Sequence, residues 1–236
     1  MPTYTVHGYR AGRDEPFEAH AARVWASLAA LTALSPRLGP WWRRADDGRG
    51  VEAVDDLVGA AGALGARAVR WWRGGRAATS WCPAFFAGDE AAPWCECSFV
   101  VGVSLPALPG VFAPERVTLR MTVADDDVLA RPDAVGAVLA SLGASFQLAH
   151  GHAGGQRVPA PRLALLSDGA PVAGWMTLLG PGQRALPATL PPPLVARALP
   201  GGATLVTAVG EAFRERDPAH LGALRALERA LAQGAT

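Results

Sequence analysis

Residues Arg116 to Ala124 read RVTLRMTVA. Val117, Leu119, Met121 and Val123 fall on one side of a two-residue period, and Arg116, Thr118, Arg120 and Thr122 on the other. Successive side chains of a strand point to opposite faces, so this stretch predicts a strand with one buried and one wetter face. Sheets of that kind are characteristically antiparallel. The segments Thr79 to Phe86 and Cys95 to Leu105 precede it and also predict strands, with no helical periodicity between them. Strands in runs, rather than in regular alternation with helices, give an α+β class with a largely antiparallel sheet.

Working outward, Tyr4 to Tyr9 and Ala68 to Trp72 predict further strands, as do Leu163 to Leu166, Val172 to Leu179 and Thr204 to Val209. About four helices pack against them. The first carries Phe17, Ala21, Val24, Leu28 and Leu31 at helical spacing. Asp14 is its expected cap, Glu15 suits its first turn, and Ser35 and Pro36 stop it. A weaker helix spans Val54 to Leu64, where Gly59 and Gly62 lower the propensity. A third runs from Pro132 to Phe146, with proline at the tolerated first position. The last follows Asp217 as cap and Pro218 as first-turn residue, with Leu221, Leu224, Leu227 and Leu231 as its buried stripe. The connector LPATLPPPLV is extended but cannot be a central strand, since proline donates nothing to a ladder. Gly151 to Pro161 predicts a loop. Residues 1–236 are expected to form one domain, with that loop as the place where two lobes could meet.

Composition narrows the function classes. The chain has 236 residues, 50% hydrophobic and 18% charged, enough to bury a sizeable core. Its formal net charge of +1 lacks the bulk basicity of a nucleic-acid binder. All 22 basic residues are Arg, for which base-composition bias is the leading explanation, and a preference for bidentate pairing at interfaces can hold beside it. The odd count of three cysteines and an opening, MPTYTVHGYR, without a charged region followed by an apolar run point to a reducing compartment; with no apolar run long enough to span a bilayer, a cytoplasmic location is expected.

Catalytic constellations are missing from the sequence. There is no G-x-S-x-G elbow, no H-E-x-x-H and, without Lys, no phosphate loop. The pair His150 and His152 lacks a third ligand at matching spacing and is expected to sit in a solvated loop; Cys95 and Cys97 read as buried thiols. No cofactor and no metal are expected. Carboxylates cluster at Asp46 and Asp47, at Asp55 and Asp56, and at Asp125, Asp126 and Asp127, where capping of turns and helices accounts for them. Tryptophan is the unusual signal, with eight in the chain. Two pairs are flanked by arginines: Trp41, Trp42, Arg43 and Arg44, then Trp71, Trp72 and Arg73. Trp and Arg dominate interface hot spots, while large core filler with Arg stacked over a ring explains them equally.

Tyr9, Arg13, Glu15, Ala21 and Arg23, followed by Leu28, Leu31, Pro36 and Trp41, resemble the opening of the immunity protein 52 family, whose members accompany polymorphic toxins. Arg10 stands where that family usually has Trp, and His20 where it has Cys. Gly174-Trp175, Leu178-Leu179, Leu186-Pro187, Gly202, Phe213 and His220 are similar in order and spacing to the family's second half. The resemblance implies an α+β immunity protein whose partner is a nuclease toxin with a restriction-endonuclease-like fold, often a type VI secretion effector. On that expectation the chain is a binding protein, not an enzyme. Trp41, Trp42, Arg43, Arg44, Trp71, Trp72 and Arg73 are the candidate anchors, and Asp46, Asp47, Asp125, Asp126 and Asp127 would meet basic residues of a DNase. It would contact neither nucleic acid nor membrane directly. The competing classes are a non-inhibitory accessory or scaffold protein of a secretion locus, and a metal-dependent enzyme.

Overall fold

The structure is a computed structural model. It describes residues 3–45, 49–66, 68–73, 76–102, 114–124, 126–154, 171–183, 186–214 and 216–233, with the backbone alone at 66, 68–73 and 76–80. The class is α+β, with four helices and antiparallel strands among the described residues. The chain divides into two compact units, one of residues 1–8 with 122–236 and the other of residues 9–121.

The unit of residues 9–121 holds helices α1 (Phe17–Leu34) and α2 (Leu57–Ala66). Its strands are β2 (Trp41–Arg44), β3 (Val51–Val54), β4 (Ala68–Arg73), β5 (Arg76–Trp81), β6 (Ala84–Gly88), β7 (Pro93–Val100) and β8 (Glu115–Thr122). The sheet order is β8-β7-β6-β2-β3, and β4 and β5 form a separate hairpin. Strand β8 is the one read from RVTLRMTVA. Val117, Leu119 and Met121 are buried, Arg116 and Arg120 exposed, as the alternation requires. The predicted strand from Thr79 to Phe86 is in fact two, broken at Cys82-Pro83, because proline cannot continue the ladder. Strand β3 ends on Val54, the residue given to the start of the second helix, and α2 begins only at Leu57, where Asp56 Oδ1 accepts from Gly59 N at 2.7 Å.

Helix α1 also starts later than its sequence suggests. Pro16 is the cap residue, with no side-chain cap bond, and Asp14 and Glu15 lie outside the helix. Its buried face carries Val24, Leu28 and Leu31. Trp41 closes its far end: the indole Nε1 donates to Leu28 O at 3.2 Å and to Thr32 Oγ1 at 3.1 Å.

The unit of residues 1–8 and 122–236 contains β1 (Thr3–Arg10), which continues to the boundary, and β9 (His150–Gly154), β10 (Met176–Leu179), β11 (Val195–Ala198) and β12 (Thr204–Thr207). The order here is β11-β12-β10-β9-β1. Helices α3 (Pro132–Ser145) and α4 (Pro218–Gln233) complete it. Both start as the sequence predicts, with Pro132 at the first position of α3 and Asp217 Oδ1 accepting from Ala219 N at 2.8 Å at the start of α4. The deepest positions of α4 are shared with alanines: Ala223, Ala226, Leu227, Ala230 and Leu231 are buried, while Leu221 and Leu224 are only half-buried.

Strand β9 falls where a loop was expected. His150 and His152 are 4% and 2% exposed, so the solvated-loop expectation for them is corrected. Close approach of the His7 backbone and the Leu139 side chain explains Gly151, since a Cβ there would lie 2.9 Å from both His7 O and Leu139 Cδ1. The proline-dense connector leads into β11, which is an edge strand and not a central one. The predicted strand Leu163–Leu166 lies outside the described residues.

Candidate functional site

Glu115 opens β8 and is completely buried. It holds the first inward position of the alternation that continues through Val117, Leu119 and Met121. A carboxylate in such a place needs cations around it. Arg10 supplies one from the end of β1, its Nε lying 3.4 Å from Glu115 Oε2. Arg23 supplies the second from α1, with Nη1 3.4 Å from the same oxygen. His20, one turn earlier on the same face of α1, places Nδ1 3.3 Å from Glu115 Oε1. Gly102 N donates to that oxygen at 3.2 Å. Glu15, in the segment between β1 and α1, bridges the two guanidiniums: Arg10 Nη2 donates to it at 2.9 Å, and Arg23 Nη2 donates to its Oε2.

The five side chains lie below the surface. His20 is 1% exposed, Arg10 3% and Arg23 9%, and the Glu15 side chain is the most open at 19%. Two guanidiniums face two carboxylates, so the charges balance with His20 neutral. Burial holds the His20 pKa below its ordinary value, and the nearby arginines add to this against the pull of Glu115 and Glu15. For Glu15, burial pushes upward but the hydrogen bonds from Arg23 and Arg10 outweigh it, and its carboxyl titrates below the usual range. Trp81 roofs the cluster, with its ring centroid 5.4 Å from that of His20 and 5.6 Å from Phe17. Gly102 adopts φ +64°, and a Cβ there would come within 2.2 Å of the Trp81 ring. Only glycine fits both the backbone conformation and the space.

Glu15, His20 and Glu115 each present a ligand atom within 4.8 Å of the others, the one such group of metal-capable side chains among the described residues. Two carboxylates and an imidazole are a credible donor set for a divalent ion. Here the same oxygens already accept from guanidiniums, and a cation among them would meet two positive charges. The arrangement is that of a self-neutralised ion cluster tying the end of β1, the start of α1 and the start of β8 together. An imidazole beside carboxylates is also an acid–base grouping. In this geometry Nδ1 is held against Glu115, and the ring is covered by Trp81.

Four of these five residues, Arg10, Glu15, His20 and Arg23, belong to or interrupt the N-terminal pattern quoted above. Glu115 was not singled out. Its signal was an acidic residue in register with the buried face of the cleanest strand. The C-terminal residues of the pattern also serve packing. Trp175 is buried, donates from Nε1 to Val209 O at 3.0 Å, and lies 5.9 Å from the Tyr4 ring. His220 Nδ1 accepts from Arg214 N at 2.9 Å, and Phe213 lies against its ring at 5.6 Å.

The candidate interface residues are dispersed. Trp41 and Trp42 are 3% and 7% exposed. Trp42 donates from Nε1 to Gly88 O at 3.3 Å and stacks on Phe86 at 4.9 Å, so both indoles act as core filler. Arg43 pairs across the β2–β3 hairpin with Glu52 at 2.5 Å, and Arg44 is exposed. Asp127 Oδ1 caps a 3-10 turn by accepting from Leu129 N at 2.9 Å, and Asp126 is exposed. Trp71, Trp72 and Arg73 lie on β4, opposite Ala78, Ala77 and Arg76, with side chains outside the described residues. Asp46, Asp47 and Asp125 are also outside them. Cys95 and Cys97 are buried on one face of β7, and burial pushes both thiols far up, which leaves them protonated and inert. No helix among the described residues is long and apolar enough to cross a membrane.

No family model matches the chain, and no curated protein is similar to it in sequence. Among solved structures, the fold is similar to that of the Pseudomonas aeruginosa T6SS protein PA0821, with a TM-score of 0.58 over 99% of this chain and 77% of that one. The two are 16% identical, so what they share is the α+β fold.

Proposed function

We propose that this chain is an immunity protein that binds and neutralises a cognate nuclease toxin, a type VI secretion effector with a restriction-endonuclease-like fold. The observation that carries this reading is the fold common to nearly the whole chain and a type VI secretion system protein. It agrees with the resemblance drawn from Glu15, Arg23, Trp175 and His220. In this reading the protein acts in the cytoplasm, as a stoichiometric binder rather than an enzyme. The ion cluster beneath Trp81 then serves to fix the scaffold.

Self-protection demands affinity near nanomolar, about −12 kcal/mol, from an interface of roughly 800 Å² per partner. Trp71, Trp72 and Arg73, with exposed Arg44 and Asp126, are the anchors assigned to it. The test is co-expression with the product of the adjacent gene, then pull-down and a DNA-degradation assay. A stable complex with nuclease activity lost supports the proposal. A stable complex with full activity moves the assignment to an accessory protein of the secretion locus, the second reading that the same fold likeness supports. No complex removes both.

A further inference from the structure

Strand β11 ends its sheet, and all four of its residues are exposed, Val195 at 63%. Leu199 N donates to Ala203 O at 2.8 Å, which makes that pair a hydrogen-bonded one in the β11–β12 ladder. Hydrogen-bonded and open pairs alternate along an antiparallel ladder. With Arg197 opposite Leu205 and Val195 opposite Thr207, those two pairs are bonded as well. The far side of β12 agrees: Ala208 N donates to Trp175 O at 2.8 Å, so Thr204 and Val206 turn to β10. The main-chain N–H and C=O of Ala196 and Ala198 therefore point outward, with no strand opposite them among the described residues.

Beside this edge lies a cleft of about 260 Å³, lined by Gly136, Met176, Val195, Arg197, Leu205 and Thr207, among others. Its floor is apolar because α3 approaches the sheet closely at Gly136, where a Cβ would sit 3.3 Å from both Leu205 and Met176. Asp133 lines the helix side. The volume is below the roughly 300–1,000 Å³ of small-molecule sites and suits one side chain. Arg197 faces the cleft and makes no ion pair among the described residues.

We infer that β11 is a docking edge for an extended segment of a protein partner, which adds an antiparallel strand and inserts an apolar side chain into the cleft. The added strand would bond to Ala196 and Ala198. Its residues opposite Val195 and Arg197 would be in open pairs, where side chains approach most closely. Charge complementarity sets an acidic residue opposite Arg197, and the cleft sets an aliphatic one opposite Val195. Antiparallel direction fixes the order as acidic, any residue, aliphatic. A second copy of this chain fits poorly: the self-pairing centred to use both Ala196 and Ala198 places Arg197 directly against Arg197. This inference is independent of the immunity reading and survives its failure.

The probe is the pentapeptide Thr-Glu-Thr-Leu-Thr, titrated into the ¹⁵N-labelled full chain. The amides of Ala196 and Ala198 are expected to shift saturably. Ala196→Pro removes an outward donor while sparing the inner ladder, and should weaken binding about tenfold with the circular dichroism spectrum unchanged. Arg197→Glu should weaken it about fivefold, and replacing the peptide's Glu by Lys should restore it to that variant. No shift of these amides up to millimolar peptide overturns the inference. So does undiminished binding of a peptide N-methylated at alternate residues, or a homodimer by light scattering that Ala196→Pro disperses.

Discussion

Removing the Glu115 carboxylate should be the most damaging single change at the ion cluster. Glu115 is 0% exposed and meets Arg10 Nε and Arg23 Nη1 at 3.4 Å each. Glu115→Leu would leave two buried guanidiniums to share Glu15, which already bonds to both. Breaking a buried pair by deleting one partner costs about 3–5 kcal/mol. Against a total stability of about 5–15 kcal/mol, that is a large fraction. The paired change Glu115→Leu with Arg23→Met restores charge balance, because Arg10 and Glu15 remain matched. It should cost clearly less than the two single changes together, with a coupling of about 1–3 kcal/mol. The assay is urea unfolding of the four proteins followed by tryptophan fluorescence, to which Trp81 over His20 contributes. A cost below about 1 kcal/mol for Glu115→Leu, or additivity within about 0.5 kcal/mol, would refute the claim that the cluster is one electrostatic unit.

Acid should destabilise the protein before most of its carboxylates titrate. Burial lowers the His150 pKa to about 4, so the unfolded chain binds a proton that the folded one refuses between about pH 6.5 and 4. Stability is fully present above the ordinary histidine value and falls by roughly 3 kcal/mol as pH drops through that window. His20, lowered mainly by burial, adds in the same direction. His150→Asn should flatten the slope of unfolding free energy against pH, and an unchanged slope would contradict the assignment. Trp42→Ala should cost about 3–5 kcal/mol in thermal or urea unfolding, because the indole is 7% exposed and stacked on Phe86. A loss below about 1 kcal/mol would mean that the side chain is surface-like.

How much was legible in advance differs by element. The alternation of β8, the proline start of α3 and the Asp217-Pro218 start of α4 depend on contacts within a few residues, and each stands where it was read. The start of α1 misled, because Asp14 and Glu15 look like helix-start residues. Glu15 turned instead to Arg10 and Arg23, because buried guanidiniums left without a carboxylate cost more than an unfilled helix cap. Strand β9 misled too. Its glycines suggest a loop, yet Gly151 is there because another backbone passes close by.

Sequence alone determined the class of the fold and the absence of familiar catalytic motifs, since periodicity and composition are local properties. Only the tertiary structure decided which charges meet. Glu115 lies 92 residues from Arg23 and became part of the cluster through the pairing of distant elements. The same holds for the tryptophans. Adjacent residues of a strand face opposite ways, so Trp41 and Trp42 of β2 point to its two sides. Burial of both required α1 on one side of β2 and the Phe86 ring on the other.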